Sequence, residues 1–238
     1  MKNIFAGLTL LAMVIIPACK GYDGKKAEED RADWVASLSD SISVIEKSRI
    51  NDSLRLEELR LEVAENLPEF STVSNPREVE PYYILSSFRS AYPLSSTGIA
   101  ARILKSEGLE LVAALSGARF NSIRALAAGK SMETQTVPAD QALNYTANGL
   151  TTVAFSGPKA DSLAMIITDY HNSPVELQYL QNGSVVRKIT LSEPQKRWVA
   201  STWVLCKKQQ EIHSLESSLL LSSRKLQILK ITLDRQNH

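Results

Sequence analysis

The segment Arg124–Ser131, RALAAGKS, ends in AGKS, the way in which glycine-rich phosphate-binding loops end. Such a loop needs another glycine five residues before Gly129, because a tight turn must aim its backbone amides at phosphate. Arg124 occupies that position, and the following METQTVPAD is a poor helix former with Pro138 inside it. We therefore predict a strand that ends in a turn, and no phosphate site.

Three histidines are the only imidazoles available for metal binding or base catalysis: His171, His213 and His238. A zinc site needs several ligands with compatible geometry. His171 lies in TDYHNS near Asp169, with no second histidine or thiol close by in the sequence, so we interpret it as a loop residue. His213 falls on a long helix and His238 ends the chain. The sequence predicts no metal and no cofactor.

Nucleophile and carboxylate patterns are also missing from the sequence. No Gly-x-Ser-x-Gly motif marks an activated serine. The acids of the middle region show no spacing that indicates a catalytic pair: Glu107, Glu110, Asp140, Asp161 and Asp169. We therefore expect a non-catalytic protein. An enzyme would need a cluster of polar side chains in one pocket of the middle region.

Aromatic residues cluster early in the middle region, at Tyr82, Tyr83, Phe88 and Tyr92. Packing in the core is the first interpretation, and a platform that binds sugar or peptide is the alternative. Two further aromatics, Trp198 and Trp203, are predicted to anchor the last helix against a sheet.

A cysteine closes the apolar amino-terminal run, in the sequence VIIPACKGYD. Lys2, the apolar stretch from Ile4 to Ile16 and a small residue before the break are typical of a secretory signal peptide. The stretch is shorter than the 20 or so residues that a transmembrane helix needs. Cleavage by ordinary signal peptidase, with Cys19 incidental, is one interpretation.

The four residues Ile16-Pro17-Ala18-Cys19 resemble the lipobox of bacterial lipoproteins, although proline is not the commonest residue at its position. The resemblance implies that residues 1–18 are a signal peptide and that Cys19 is the first mature residue, with lipid on its sulfur and its amine. The chain is also similar to lipoproteins of Bacteroidota through this signal, the acidic run EED after it and the overall layout, which implies no particular activity. We expect a lipid-anchored protein of the cell envelope, with the outer membrane favoured.

Charge excludes nucleic acid as a partner. Removing residues 1–18 takes away Lys2 and no acid, so 27 basic residues become 26, against 26 acids. A neutral chain lacks the basic surface of a nucleic-acid-binding protein. With Cys19 lipidated, Cys206 has no partner for an internal disulfide. We expect Cys206 to be a semi-buried helix residue, and an intermolecular disulfide is the alternative.

Two long helices are predicted on either side of the middle region. Residues 19–26 form the lipidated tether, and 27–67 form the first helix. A heptad seam runs along one face of this helix: Leu38, Ile42, Ile45, Arg49, Asp52, Leu56, Leu59 and Val63. Pro68 should end it.

The second helix is predicted over residues 192–236, beginning with the capping box SEPQ. Its seam alternates steps of three and four: Trp198, Ser201, Leu205, Lys208, Ile212, Leu215, Leu219, Ser222, Leu226, Leu229 and Leu233. We predict an antiparallel coiled coil of the two helices. If both leave the middle region at the same depth, Asp52 lies opposite Lys208 and Arg49 opposite Glu211.

Residues 68–191 are predicted to form an antiparallel β-rich α+β domain with one short helix after Gly157-Pro158. Asn182-Gly183 predicts a hairpin, and Ser116-Gly117 a turn between another pair of strands. The strands are predicted at Tyr82–Phe88, Ile99–Leu104, Leu109–Leu115, Phe120–Leu126, Leu150–Phe155, Val175–Leu180 and Val185–Leu191.

A structural, adhesive or partner-binding role in the envelope follows from this layout. The partners expected are a membrane, through the lipid on Cys19, and an envelope protein; self-association through the helices is open. The alternative is an adaptor of an envelope transport complex, a family similar in combining a helical hairpin with β-rich domains. In that family the β-structure flanks the hairpin, the reverse of the order here.

Overall fold

The computed structural model describes residues 24–74, 80–106, 108–139 and 143–237. The chain divides into two compact units: Arg49–Ser222, and Met1–Ser48 with Ser223–His238. The predicted signal peptide, the lipidation residue Cys19 and the tether up to residue 23 lie outside the described residues. So do Glu107, Asp140 and His238.

The described residues contain three α-helices: α1 (Gly24–Asn66), α2 (Pro158–Asp169) and α3 (Glu193–Asn237). The chain leaves α1 through a 3₁₀ turn at Leu67–Glu69, as Pro68 predicts. The capping box of α3 is confirmed, because Gln195 Oε1 accepts the Ser192 N–H at 3.1 Å and the Gln195 N–H donates to Ser192 Oγ at 3.4 Å. With the sheets below, these helices confirm the predicted α+β class.

Within the part of the chain that the structure describes, ten strands form two antiparallel sheets. The six-stranded sheet has the order β1-β2-β3-β4-β8-β7, and the four-stranded sheet β10-β9-β5-β6. The strands are β1 (Phe70–Val73), β2 (Tyr82–Leu85), β3 (Gly98–Leu104), β4 (Leu109–Ser116), β5 (Ser122–Ala127), β6 (Lys130–Glu133), β7 (Asn144–Ala147), β8 (Leu150–Ser156), β9 (Glu176–Gln181) and β10 (Ser184–Thr190).

Positive φ at two successive residues shapes the tight hairpins. Asn182 (52°) and Gly183 (82°) join β9 to β10 and confirm the predicted hairpin. Asn148-Gly149, which carries the same sequence signal, joins β7 to β8 and was not predicted. Ala128-Gly129 joins β5 to β6, so Arg124–Ser131 is the end of one strand, a turn and the start of a second strand.

Two strand predictions are wrong. Ser116-Gly117 does not join a hairpin, because both edges of β4 are occupied, by β3 and β8, and the chain crosses to the other sheet. The strand predicted over Tyr82–Phe88 stops at Leu85, where a 3₁₀ turn over Ser86–Ala91 begins.

The core lies between the sheets and under the start of α3. Phe120 packs edge-on against Tyr179 with ring centroids 5.0 Å apart. The Tyr179 hydroxyl donates to Gly98 O at 3.0 Å and so links β9 of one sheet to β3 of the other. Burial raises the pKa of Tyr179 well above its usual range, so the phenol stays protonated and the link holds at any physiological pH.

The first turns of α3 pack onto the β-structure. Trp198, Val199, Leu205 and Cys206 are buried in the core, and Trp203 packs against it, which confirms the predicted anchoring. A side chain at Gly98 would meet Gln195 Nε2 at 2.5 Å, so glycine permits this close approach. Cys206 is fully rather than semi-buried and cannot reach another chain in the folded state.

Ion pairs join α1 to α3. Within Arg49–Ser222, Arg55 pairs with Glu211 at 2.9 Å, Glu62 with Lys208 at 2.9 Å and Arg60 with Glu216 at 2.7 Å. Glu46 and Lys230 pair at 2.7 Å within the other unit. The predicted partners, Asp52 for Lys208 and Arg49 for Glu211, are therefore wrong. The first turns of α3 are occupied by the β-structure, so α1 meets α3 further along its length than equal depth implies.

Candidate functional site

A cleft of 730 Å³ opens within the Arg49–Ser222 unit, beside the start of α3. Its walls are the 3₁₀ turn at Ser86–Ala91 and the ends of α1 and α2. Arg197, Ser201, Val204 and Lys208 lie along it at helical spacing, so they share one face of α3. The volume suits a small ligand, since such pockets span roughly 300–1,000 Å³.

Apolar side chains supply much of the lining: Phe70, Phe88, Pro194, Ala200, Val204 and Leu205. Phe88 is held by stacking on Trp198, with ring centroids 4.8 Å apart and planes 6° from parallel. Val204 is exposed although it is apolar. The cleft thus offers a preformed apolar wall that a ligand can cover.

Two lysines of the cleft are already engaged. The Lys196 side chain is only 3% exposed, donates to Ser173 O at 2.9 Å and pairs with Glu193. Lys208 pairs with Glu62, and this hydrogen bond lowers the pKa of the Glu62 carboxyl below its usual value.

Arg197 and Glu69 differ from the lysines. Both side chains line the cleft and are exposed. Among the residues that the structure describes, neither has a hydrogen-bond or ion-pair partner. One cation and one anion are therefore free to bind a ligand.

His171 lies in the turn after α2, as predicted for a loop residue. Its Nδ1 lies 2.8 Å from Thr168 O, and because a carbonyl only accepts, Nδ1 carries the proton in this bond. Nε2 is then the acceptor nitrogen of the neutral ring. No cleft serine of the described chain bonds to His171, so the geometry shows no serine–histidine nucleophile.

The predicted aromatic cluster mostly packs in the core. Tyr82 is buried, and Tyr92 packs edge-on against Tyr82 and Trp198. Tyr83 is half-buried against the core, and Phe88 alone of the four lines the cleft. The core interpretation therefore accounts for most of the cluster.

A buried ion pair of Arg102 with Glu110 was not predicted. The two residues face each other across β3 and β4, with side chains 10% and 7% exposed. Arg102 Nη1 donates to the Tyr92 hydroxyl at 2.9 Å, and its guanidinium lies 4.4 Å from the Tyr82 ring centroid. Pairing β3 with β4 about the intervening turn could have found this cross-strand pair.

Asp161 and Asp169 are the other acids of the predicted set that the structure describes. Asp161 pairs with Lys207 on α3, and Asp169 ends α2. Within the described ranges, no three side chains of the metal-binding types come together. In the same part of the chain, none of the helices has the length and apolar character to cross a bilayer.

No protein-family model matches the chain, and neither do curated proteins or solved structures.

Proposed function

We propose that the protein is a lipid-anchored, non-catalytic lipoprotein of the cell envelope, and that its Arg49–Ser222 unit is a binding module. The observation that carries the anchor is the order Ile16-Pro17-Ala18-Cys19 directly after an apolar run. Several acyl chains on one residue give a stable anchor, since each buried CH₂ contributes about 0.8 kcal/mol.

The cleft supports binding as the role of the Arg49–Ser222 unit. It has an apolar lining with a few polar groups, which is the usual composition of ligand sites. Lys196 and Lys208 are held in ion pairs, and His171 is bonded to a backbone carbonyl. These contacts hold the polar groups of the cleft in place, which supports a preformed binding surface.

We expect Cys19→Ser to leave either an unprocessed precursor or a soluble chain, because the thiol that accepts the lipid is lost. Fractionation of cells that express the parent or the variant measures this directly. Cys206→Ser is the control for removal of a thiol: Cys206 is buried on α3, and its loss should leave attachment unchanged. A processed Cys19→Ser chain that stays with the membrane as the parent does would contradict the proposal.

The proposal includes pairing of α1 with α3 as an antiparallel coiled coil within one chain. The ion pairs of Arg55, Glu62 and Arg60 with α3 support it, as does Glu46–Lys230 in the other unit. Six predicted seam positions are buried, namely Ile42, Leu56, Leu59, Trp198, Leu205 and Leu226, and of these Trp198 and Leu205 belong to the core of the β-structure. Charged residues beside an apolar seam set register and orientation in coiled coils.

Cysteines at positions 62 and 208 should be joined within one chain by a short bismaleimide, because the native side chains at these positions meet. Glu57→Cys with Lys208→Cys is the matched control, since position 57 lies about 140° away from position 62 around α1. Denaturing electrophoresis separates the products. Formation of cross-linked dimers only, or equal reaction of the control pair, would refute the intramolecular pairing.

A further inference from the structure

Three basic residues line the cleft, Lys196, Arg197 and Lys208, together with two acidic ones, Glu69 and Glu193. Lys196 is paired with Glu193 and Lys208 with Glu62, so these four side chains cancel within the protein. Arg197 and Glu69 remain, one of each sign and without a partner among the described residues. A ligand that neutralises both must carry one negative and one positive group.

Apolar surface occupies the rest of the wall. Phe88 and Val204 present their side chains to the cleft alongside Leu205. A purely ionic ligand would leave this surface in water, whereas burying it contributes about 25 cal/mol per Å². The ligand therefore needs an apolar body as well as its two charges.

We infer that the cleft binds a zwitterion with an apolar body, namely an apolar amino acid or a short apolar peptide with free termini. This inference deepens the binding role proposed above. The carboxylate of the ligand binds Arg197, whose planar guanidinium matches a carboxylate with two parallel hydrogen bonds. The ammonium of the ligand binds Glu69. The apolar side chains lie against Phe88 and Val204.

A simple anion fits less well. It would satisfy Arg197 but leave the Glu69 carboxylate facing like charge, which disfavours binding. A simple cation has the converse problem at Arg197. Arg197 and Glu69 together therefore favour a zwitterion over a simple anion or a simple cation.

Equilibrium dialysis of radiolabelled Leu-Leu-Leu against the full chain in detergent tests this inference, with empty micelles as the blank. Free leucine, the N-acetylated tripeptide and the C-terminally amidated tripeptide are the comparison ligands. We expect the parent protein to bind Leu-Leu-Leu or leucine. Removal of either ligand charge should weaken binding about ten-fold or more, since hydrogen bonds to charged groups contribute about 1.5–3 kcal/mol.

Arg197→Gln and Glu69→Gln should each weaken binding of the ligand with free termini. Arg197→Gln should make no further difference to the amidated peptide, and Glu69→Gln none to the acetylated one, because the partner charge is already absent. Arg89→Gln and Glu65→Gln are matched controls, because both residues are exposed and neither lines the cleft. Circular dichroism verifies that each variant is folded.

Two results would overturn the inference: no binding of either ligand by the parent, or equal binding by Arg197→Gln, Glu69→Gln and their controls. Preference for the tripeptide over leucine identifies a peptide source, and the reverse a free amino acid. Both outcomes support the zwitterion. Binding of leucine or the tripeptide does not depend on lipid at Cys19. Absence of binding would therefore leave the anchor proposal unchanged, and an unlipidated Cys19 would leave the binding test valid.

Discussion

Replacing Glu110 with alanine is expected to lower the free energy of unfolding by about 3–5 kcal/mol, the usual effect of removing one partner of a buried ion pair. Glu110 is the carboxylate partner of Arg102, and both side chains are almost completely shielded from water. Without Glu110, the guanidinium stays buried beside Tyr82 and Tyr92 and loses a carboxylate that compensates part of its desolvation. Urea denaturation followed by circular dichroism measures the change.

A double replacement separates the cost of removing only one charge of the pair from the loss of contacts. Arg102→Met with Glu110→Leu removes both charges and keeps apolar volume, so it should recover most of the lost stability. Glu216→Ala, which breaks the exposed pair with Arg60, is the surface control and should have little effect. If Glu110→Ala destabilised no more than Glu216→Ala, the pair would not be buried as the structure shows.

Leu59→Ala is expected to cost about 2–5 kcal/mol of unfolding free energy, because it empties a fully enclosed site. Leu59 is 0% exposed, whereas Leu61, two residues further along the same helix, is 63% exposed. Leu61→Ala should therefore stay within about 0.5 kcal/mol of the parent. The same denaturation experiment measures both variants.

The comparison tests which face of α1 is covered. Leucine and alanine are both good helix formers, so intrinsic helix propensity contributes little to either change. A large loss for Leu59→Ala alone supports burial of the seam predicted from the heptad spacing. Equal losses for the two variants would mean that α1 is rotated or covered on both faces.

Local signals predicted much of the fold. The seam of α1 placed Leu59 on its buried face, SEPQ placed the start of α3, and Asn182-Gly183 placed the hairpin of β9 and β10. Each depends on residues close together in the chain, whose interactions are set by helix or turn geometry. Asn148-Gly149 carries the same hairpin signal, so the hairpin of β7 and β8 could also have been predicted from the sequence.

Non-local pairing could not be predicted in this way. β4 pairs with β8 in the six-stranded sheet, although three strands lie between them in the sequence. Of these, β5 and β6 belong to the other sheet and β7 lies beside β8. Strands β3 and β4 are also buried along nearly their whole length, so they lack the alternation that identifies the two faces of a strand. The residues around Ser116-Gly117 therefore do not indicate that the chain passes there from one sheet to the other.

The cleft was beyond sequence reasoning for a similar reason. Glu69 follows α1 and Arg197 lies near the start of α3, and in the sequence both are ordinary surface charges. Only the folded chain brings Glu69 and Arg197 to one cleft with Phe88. Lys196 and Lys208 are paired with Glu193 and Glu62, which leaves Glu69 and Arg197 as the cleft charges available to a ligand. The prediction of the helix register was wrong for the same reason, because the register depends on how α3 packs on the β-structure.

The mass of the amino-terminal peptide, measured on the protein purified from membranes, tests the central proposal most directly. The lipoprotein account predicts that the mature chain begins at Cys19 and carries acyl groups on both its sulfur and its amine. A mature chain that begins at another residue, or that carries an unmodified Cys19, would contradict it.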